Sequence, residues 1–323
     1  MNSLLGALIG DAAGATLEGF HREITKDMAN HSMTMPGGGI FKVGSGQITD
    51  DGELTLSLWR ALQSSHPSLG FPIFTIIKHY SDWYESIPFD IGQTCSFAFE
   101  CLHEFIKDQI EPFDHTIQTL KKQIYHVNRS SQANGALMRA TAIATWIAPY
   151  HDVSAEQAAE FAMQDASLSH PHRICQETNA IYVYAIVHLL RGLSPKDVLE
   201  YTSEFVSMNE FSDEVKHWYN VESLDISSLD CTKQIGHVRW GFVLAFYFLR
   251  HPTISYDDAI RDTLMKGGDT DTNACIVGGV VGCYQPIPFF MKNPVLEFNC
   301  TKEGNIRPME YSVQFVIGDW IDS

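Results

Sequence analysis

Apolar residues recur at helical spacing along most of the chain. This periodicity predicts helices over residues 3–16, 52–63, 71–85, 94–107, 134–148, 155–167, 174–191, 195–206, 233–250, 256–266 and 273–284. The alternating apolar and polar pattern of half-buried strands is nearly absent, and so are hairpin turn signals. The sequence therefore predicts an all-α fold, a single compact multi-helix domain over 1–323, with a less regular tail over 285–323.

Residue pairs typical of helix N-termini precede three of these segments. They are Ser154 with Gln157, Ser194 with Pro195, and Ser255 with Asp258. The first predicted helix carries Gly6, Gly10 and Gly14, which are spaced by four and therefore share one face. A face without side chains predicts close approach of another helix backbone. The segment is too short for a membrane span, and Asp11 interrupts its apolar run.

Composition narrows the class of protein. Apolar residues make up 45% of the 323 positions and charged residues 19%, as in ordinary globular proteins. A net charge of −17 argues against nucleic-acid binding and against anionic membranes, which favour basic surfaces. The seven cysteines are odd in number and scattered, without CxxC spacing. We therefore expect reduced thiols, a cytoplasmic location and no membrane insertion.

Two short acidic runs each precede an apolar helical pattern. The first is Thr49-Asp50-Asp51 and the second is Asp269-Thr270-Asp271-Thr272. Either run alone is also what an ordinary helix cap requires, because Asp and Thr are favoured at helix starts. If the two starts meet, however, their carboxylates repel one another unless cations are bound. Ligands that are all oxygen favour magnesium, manganese or calcium over zinc.

Three further turns carry polar groups. Residues 131–139 form a small-residue turn that opens a helical pattern, and its free N–H groups suit an anion. An ordinary helix start with Asn134 as cap explains the same residues. Asp90 lies in a turn before the helix at 94–107, where an Asx-turn is the local interpretation. His170 stands beside a proline in a loop, where it either lines a pocket or packs.

Taken in order, these stretches resemble the ADP-ribosylglycohydrolase family, which includes dinitrogenase-reductase-activating glycohydrolases and ADP-ribosyl-acceptor hydrolases. The matching stretches are Gly10-Asp11-Ala12-Ala13-Gly14-Ala15-Thr16-Leu17-Glu18, Thr49-Asp50-Asp51, Pro88-Phe89-Asp90-Ile91-Gly92, Asn134-Gly135-Ala136-Leu137-Met138-Arg139, Ser169-His170-Pro171 and Gly267-Gly268-Asp269-Thr270-Asp271-Thr272-Asn273. They run in family order and cover residues 4 to about 284. Departures from the common pattern fall at Gly52, Ala133 and Ser169.

The resemblance implies an all-α fold with two Mg²⁺ (or Mn²⁺) ions. The implied metal ligands are Thr49, Asp50, Asp51, Asp269, Asp271 and Thr272. The implied catalytic residues are Glu18, Asp50, Asp51, Asp90 and Asp269. Glu18 matches a glutamate that approaches the metals, and Asp90 matches an acidic position on the acceptor side in the arginine-directed branch. The residues implied to bind substrate are Asp90, Ser131, Asn134, Gly135, Met138, Arg139 and His170.

The expected activity is that of a metal-dependent hydrolase. It would cleave the glycosidic bond between ADP-ribose and a modified protein side chain, with arginine favoured over serine because a guanidinium pairs well with the Asp90 carboxylate. Two alternatives stay open on the sequence. One is a module of the same fold that binds ADP-ribose or a protein without turnover. The other is a hydrolase of another ADP-ribose-like small molecule.

Overall fold

The structure, a computed structural model, describes residues 1–108 and 114–321. Within these ranges it contains sixteen α-helices and, apart from two isolated bridges, no β-structure. The helices are α1 (Asn2–Gly14), α2 (Lys26–Ser32), α3 (Asp50–Gln63), α4 (Ile73–Glu85), α5 (Gln93–Lys107), α6 (Asp114–Asn128), α7 (Thr141–Ile147), α8 (Ala155–Ala166), α9 (Arg173–Leu190), α10 (Pro195–Met208), α11 (Asp213–Asn220), α12 (Val238–Arg250), α13 (Tyr256–Leu264), α14 (Thr270–Val281), α15 (Phe289–Glu297) and α16 (Val313–Ile321). The all-α prediction is confirmed.

Helices α1 and α14 lie in direct backbone contact at the centre of the fold. A Cβ added at Gly6 would lie 2.4 Å from the Gly278 carbonyl oxygen, and one added at Gly10 would lie 2.0 Å from the Ala274 carbonyl oxygen. At Gly14 a Cβ would lie 2.4 Å from Asp271 Cα. All three distances are shorter than any van der Waals contact, so only glycine permits this approach. The glycine face predicted from the sequence is confirmed.

The predicted helix starts are also confirmed. Ser154 forms a complete capping box with Gln157 at the start of α8. The Ser194 hydroxyl accepts from the Asp197 N–H ahead of α10, and the Ser255 hydroxyl accepts from the Asp258 N–H ahead of α13. Each cap satisfies an N–H that has no partner inside its helix.

Some helix bounds were predicted wrongly. The segments predicted as helices over 134–148 and 233–250 begin later, at Thr141 and Val238, and the residues before them form turns. In the first turn the apolar period continues because Ala136, Leu137 and Met138 are buried as they would be in a helix, whereas Ile235 in the second turn is exposed. Helices α2, α6, α11, α15 and α16 were not predicted. The last two make the region after residue 285 more regular than expected.

The remaining helices pack around the central pair. Helix α8 pairs with α9, α4 with α5, and α12 and α13 lie against α14. Among the described residues no helix has the length and apolarity that crossing a membrane requires. All seven cysteines carry free thiols, and five of them are buried. Thiols buried in this way behave as small apolar side chains.

Candidate metal centre and active site

Asp11 fixes the start of α3 from the middle of α1. Its buried carboxylate accepts from the Thr49 N–H at 3.0 Å, from the Thr49 hydroxyl at 2.8 Å and from the Gly52 N–H at 2.9 Å. A Cβ at Gly52 would lie 2.6 Å from Asp11 Oδ2, so a larger residue there would displace the carboxylate. Glycine at position 52, which departs from the common family pattern, is therefore explained by the close approach of the Asp11 carboxylate. The structure adds Asp11 to the site, and the sequence signal was a single carboxylate inside an apolar helical run.

The second acidic run enters the site through two glycines in the left-handed region. Gly267 and Gly268 have φ of +69° and +75°, and a Cβ on Gly268 would lie 2.1 Å from the Cys231 carbonyl oxygen. Helix α14 then begins beside the end of α1, where the Thr270 hydroxyl donates to the Gly14 carbonyl at 2.9 Å. The Thr272 hydroxyl donates to Asp51 Oδ2 at 3.2 Å. The two acidic runs thus meet.

Carboxylates from five separate segments converge where these helix starts meet. One oxygen each from Asp11, Asp51 and Asp271 lie within 4.8 Å of one another, and the same holds for Glu18, Asp90 and Asp271. Two of the oxygens, Asp51 Oδ1 and Glu18 Oε2, are buried without a hydrogen-bond partner among the described residues. A buried acceptor without a donor is costly, and a cation satisfies it. The donor set, all oxygen, suits hard divalent ions.

The electrostatics indicate the same need for positive charge. Burial raises the pKa of Asp11 to about 8. Burial and then the charge of Asp269 raise the pKa of Glu18 to about 7 and that of Asp50 to about 6. Burial and then the charge of Asp50 raise the pKa of Asp90 to about 10. Burial also raises the pKa values of Asp51 and Asp271 well above their usual range. Without cations, several of these groups keep their protons at neutral pH.

A cleft of about 320 Å³ opens over the carboxylates. Its acidic wall contains Glu18, Asp50, Asp90, Asp269 and Asp271, with Thr272 beside them. The rest of the lining, which we call the neutral wall, is uncharged and contains Gly92, Gln93, Thr94, Cys95, Ala133, Asn134, Gly135, Met138, His170, Ile235 and Gly236. Thr49 and Asp51 are buried behind the acidic wall.

The neutral wall is tied to the acidic one through Asn134. Its side-chain amide donates to Asp269 Oδ2 at 2.8 Å, and its backbone N–H donates to the Gly236 carbonyl at 2.9 Å. Gly236 and Ile235 belong to the turn before α12. This turn was predicted as helix, and no sequence pattern pointed to its two residues as part of the site. Burial raises the pKa of the Cys95 thiol to about 12, which leaves it neutral.

Arg139 and Ser131 lie outside the cleft lining. The expected contact of Arg139 with substrate needs correction, whereas that of Ser131, which bonds to the cleft residue Thr94, stays a prediction. Arg139 is fully buried, and its guanidinium donates to Asp165 Oδ2 at 2.9 Å, to the Gly135 carbonyl at 2.9 Å and to the Ser169 hydroxyl at 2.8 Å. Its N–H groups donate to buried acceptors and not to the cleft. The bond to the Gly135 carbonyl supports the 133–138 turn from the protein interior. Ser131 bonds to the Thr94 hydroxyl at 2.8 Å, outside the cleft lining.

His170 presents a neutral ring to the cleft. Burial and then the charge of Arg139 lower its pKa to about 3. Its Nδ1 lies 2.9 Å from the Ser169 hydroxyl, which already accepts from Arg139. This buried hydroxyl has no other acceptor for its own proton among the described residues, so we assign that proton to the bond with Nδ1, which places the ring proton on Nε2. In this arrangement His170 is a hydrogen-bond donor toward a ligand.

A family model described as ADP-ribosylglycohydrolase matches residues 1–301. The chain belongs to the ADP-ribosylglycohydrolase family. Family membership supports hydrolysis of ADP-ribose conjugates as the general activity. It also confirms the family that the ordered motifs indicated.

The chain is similar to proteins of this family over most of its length. A protein of Acanthamoeba polyphaga mimivirus, named as a candidate ADP-ribosyl glycohydrolase, is 26% identical over 95% of this chain and 94% of its own. The ADP-ribosyl-(dinitrogen reductase) glycohydrolase of Rhodospirillum rubrum is 26% identical over 87% of this chain and 84% of its own length. The ADP-ribosylhydrolase ARH3 of Xenopus tropicalis is 23% identical over 87% of this chain and 85% of its own length. A solved structure titled as an ADP-ribosylglycohydrolase-related protein complex shares the fold, with a TM-score of 0.69 at 18% identity. The match covers 98% of this chain and 95% of the chain in that structure.

Proposed function

We propose that this protein is a metal-dependent hydrolase that cleaves the glycosidic bond between ADP-ribose and a modified protein side chain, with arginine favoured over serine. The observation that carries the proposal is the pair of carboxylate triads sharing Asp271, one lining the acidic wall of the cleft and the other with Asp11 and Asp51 buried behind it, while the rest of the cleft lining is uncharged. One wall suits cations and the groups they bind. The other offers neutral donors to a nucleotide-like ligand.

The residues present fit two Mg²⁺ (or Mn²⁺) ions. We propose as ligands Thr49, Asp50, Asp51, Asp269, Asp271 and Thr272. The partnerless buried Oδ1 of Asp51 supports this assignment, because it lacks a proton donor that a purely structural role would supply. The partnerless Oε2 of Glu18 lies beside the proposed ligand Asp271 in the second triad. When bound, such ions offset negative charge and lower the pKa of water. Asp11 is occupied by three donors from the Thr49–Gly52 segment, so it orients the ligands of α3.

Side chains of the protein would bind the substrate and accept a proton. The 133–138 turn and the Nε2–H of His170 would hold the nucleotide portion against the neutral wall. Glu18 lines the cleft beside the proposed ligands and is suited to take a proton from an attacking water. Asp90 closes the acidic wall and would face the leaving group. Loss of the leaving group passes through an oxocarbenium-like state, which a wall of carboxylates stabilises.

The choice of acceptor rests on Asp90. A guanidinium forms paired, charge-assisted hydrogen bonds with a carboxylate, whereas a serine hydroxyl gains much less from a fixed negative charge. A cationic acceptor would also offset part of the charge that raises the pKa of Asp90. The Rhodospirillum rubrum relative is named for a protein substrate, dinitrogen reductase, which supports a protein rather than a small molecule as substrate.

The test uses arginine-linked and serine-linked ADP-ribosylated proteins, with enzyme stripped by a chelator and then resupplied with Mg²⁺ or Mn²⁺. Cleavage should require metal, and kcat/KM should be higher for the arginine linkage. Asp90→Asn should reduce that ratio, while Asp82→Asn, which removes an exposed carboxylate outside the cleft, should leave it unchanged. Full activity without metal would refute the metal proposal. Binding of ADP-ribose without cleavage of either linkage would identify a binding module instead.

A further inference from the structure

The segment over residues 298–307, which follows α15, packs against the loop over residues 37–47. A Cβ at Gly304 would lie 2.5 Å from the Gly44 N atom, so the two backbones touch. The Gln47 side chain forms two hydrogen bonds with the backbone of Asn305. Its Oε1 accepts from the Asn305 N–H at 2.9 Å, and its Nε2 donates to the Asn305 carbonyl at 2.7 Å. The Asn305 side chain donates to the Phe41 carbonyl at 2.9 Å.

The same segment holds a second loop, over residues 86–92. The Arg307 guanidinium, 4% exposed, bonds to both carboxylate oxygens of Glu53, two residues beyond Asp51, at 2.8 Å. It also donates to the Ser86 carbonyl at 2.9 Å and to the Ile87 carbonyl at 3.2 Å. A planar guanidinium can satisfy both sets of acceptors at once, which an ammonium cannot do.

These two loops support the outer part of the acidic wall. The 37–47 loop lies on the segment that carries Glu18: a Cβ at Gly39 would lie 2.9 Å from the Ala15 carbonyl oxygen. The 86–92 loop carries Asp90 itself. The loops also touch each other, since the rings of Phe41 and Phe89 meet edge to face with centroids 6.3 Å apart.

We infer that residues 298–307 form a C-terminal clamp that positions Glu18 and Asp90, with Asn305 and Arg307 as its positioning residues. The inference rests on the proposed function for its catalytic consequence. Asn305 and Arg307 lie beyond residue 301, where the match to the family model ends.

Asn305→Ala is the main test because Asn305 is only partly buried and its backbone bonds to Gln47 remain. Arg307→Lys is the second variant. It keeps the positive charge but loses the planar guanidinium that bonds to Glu53, Ser86 and Ile87 together. The matched control is Asn299→Ala, whose side chain bonds only to Thr301 within the same segment. Two quantities are measured on the full-length protein: amide hydrogen exchange of Gly38 and Val43, which bond to each other across the 37–47 loop, and steady-state kinetics.

Both Asn305→Ala and Arg307→Lys should speed exchange at these amides and lower kcat, by about fivefold for the loss of one neutral hydrogen bond. The dissociation constant for free ADP-ribose should stay as in the control, because the neutral wall is untouched. Unchanged exchange and unchanged kcat in both variants would overturn the inference. An equal loss of kcat and ADP-ribose affinity would also overturn it, since that pattern indicates general destabilisation. If the wild-type protein cleaves no substrate, the proposed function fails, and the exchange comparison alone decides on the clamp.

Discussion

Asp50→Asn should stabilise the metal-free protein. Asp50 is the first residue of α3, and burial followed by the charge of Asp269 raises its pKa from the ordinary 3.8 to about 6. Because the folded pKa is the higher one, the carboxyl's favourable contribution is complete below pH 3.8 and is lost as the pH rises through 6. A shift of this size corresponds to about 3 kcal/mol at pH 8. An isosteric amide carries no charge and avoids that loss.

The measurement is urea unfolding of wild type and Asp50→Asn in chelator at pH 4 and at pH 8. The variant should gain about 3 kcal/mol at pH 8 and less than about 1 kcal/mol at pH 4. Saturating Mg²⁺ should reverse the order, because an ion at about one thousand times its dissociation constant stabilises wild type by about 4.1 kcal/mol. If Asp50 served only the dipole of α3, the variant would instead lose about 0.3–1 kcal/mol at pH 8, with no Mg²⁺ effect. That outcome would refute the reasoning.

Three further predictions address the ligand, the histidine and the helix pair. Free ADP-ribose should raise the melting temperature more with Mg²⁺ than without it, and AMP should do less because it lacks the distal ribose; equal effects of both ligands, independent of metal, would indicate generic nucleotide binding. Ser169→Ala removes the donor to His170 Nδ1, so the ¹⁵N shifts of that ring should change from the pure Nε2–H tautomer to a mixture, whereas unchanged shifts would mean that Ser169 does not set the tautomer. Gly10→Ala should cost at least about 1–3 kcal/mol in chemical unfolding, because its Cβ would meet the Ala274 carbonyl at 2.0 Å. Gly92→Ala, with φ of −64° and open space around it, is the control and should change stability little.

Local patterns predicted most of the helices, and the motif order predicted the family. The acidic runs were recognisable because two stretches of hard oxygen ligands each preceded an apolar helix. Asp11 was visible as a lone carboxylate in an apolar run, but its partner Thr49 is 38 residues away, and no local rule supplies that pairing. No local rule places Ile235 and Gly236 in the cleft lining either. Nor does one pair Arg307 with its acceptor Glu53, which is 254 residues away. Arg139 was misplaced because a motif gives the position of a residue and not the direction of its side chain.

The glycine face explains why the acidic site can exist at all. Six carboxylates with raised pKa values oppose folding, so the elements that carry them need strong, exact contacts elsewhere. Gly6, Gly10 and Gly14 let α1 lie directly on α14, and the last of them touches Asp271. That contact sets the depth of α14 relative to Asp11, which in turn holds the start of α3. One helix therefore fixes both acidic runs, and a change in the separation of α1 and α14 would move Asp271 away from Asp11 in one triad and from Glu18 in the other.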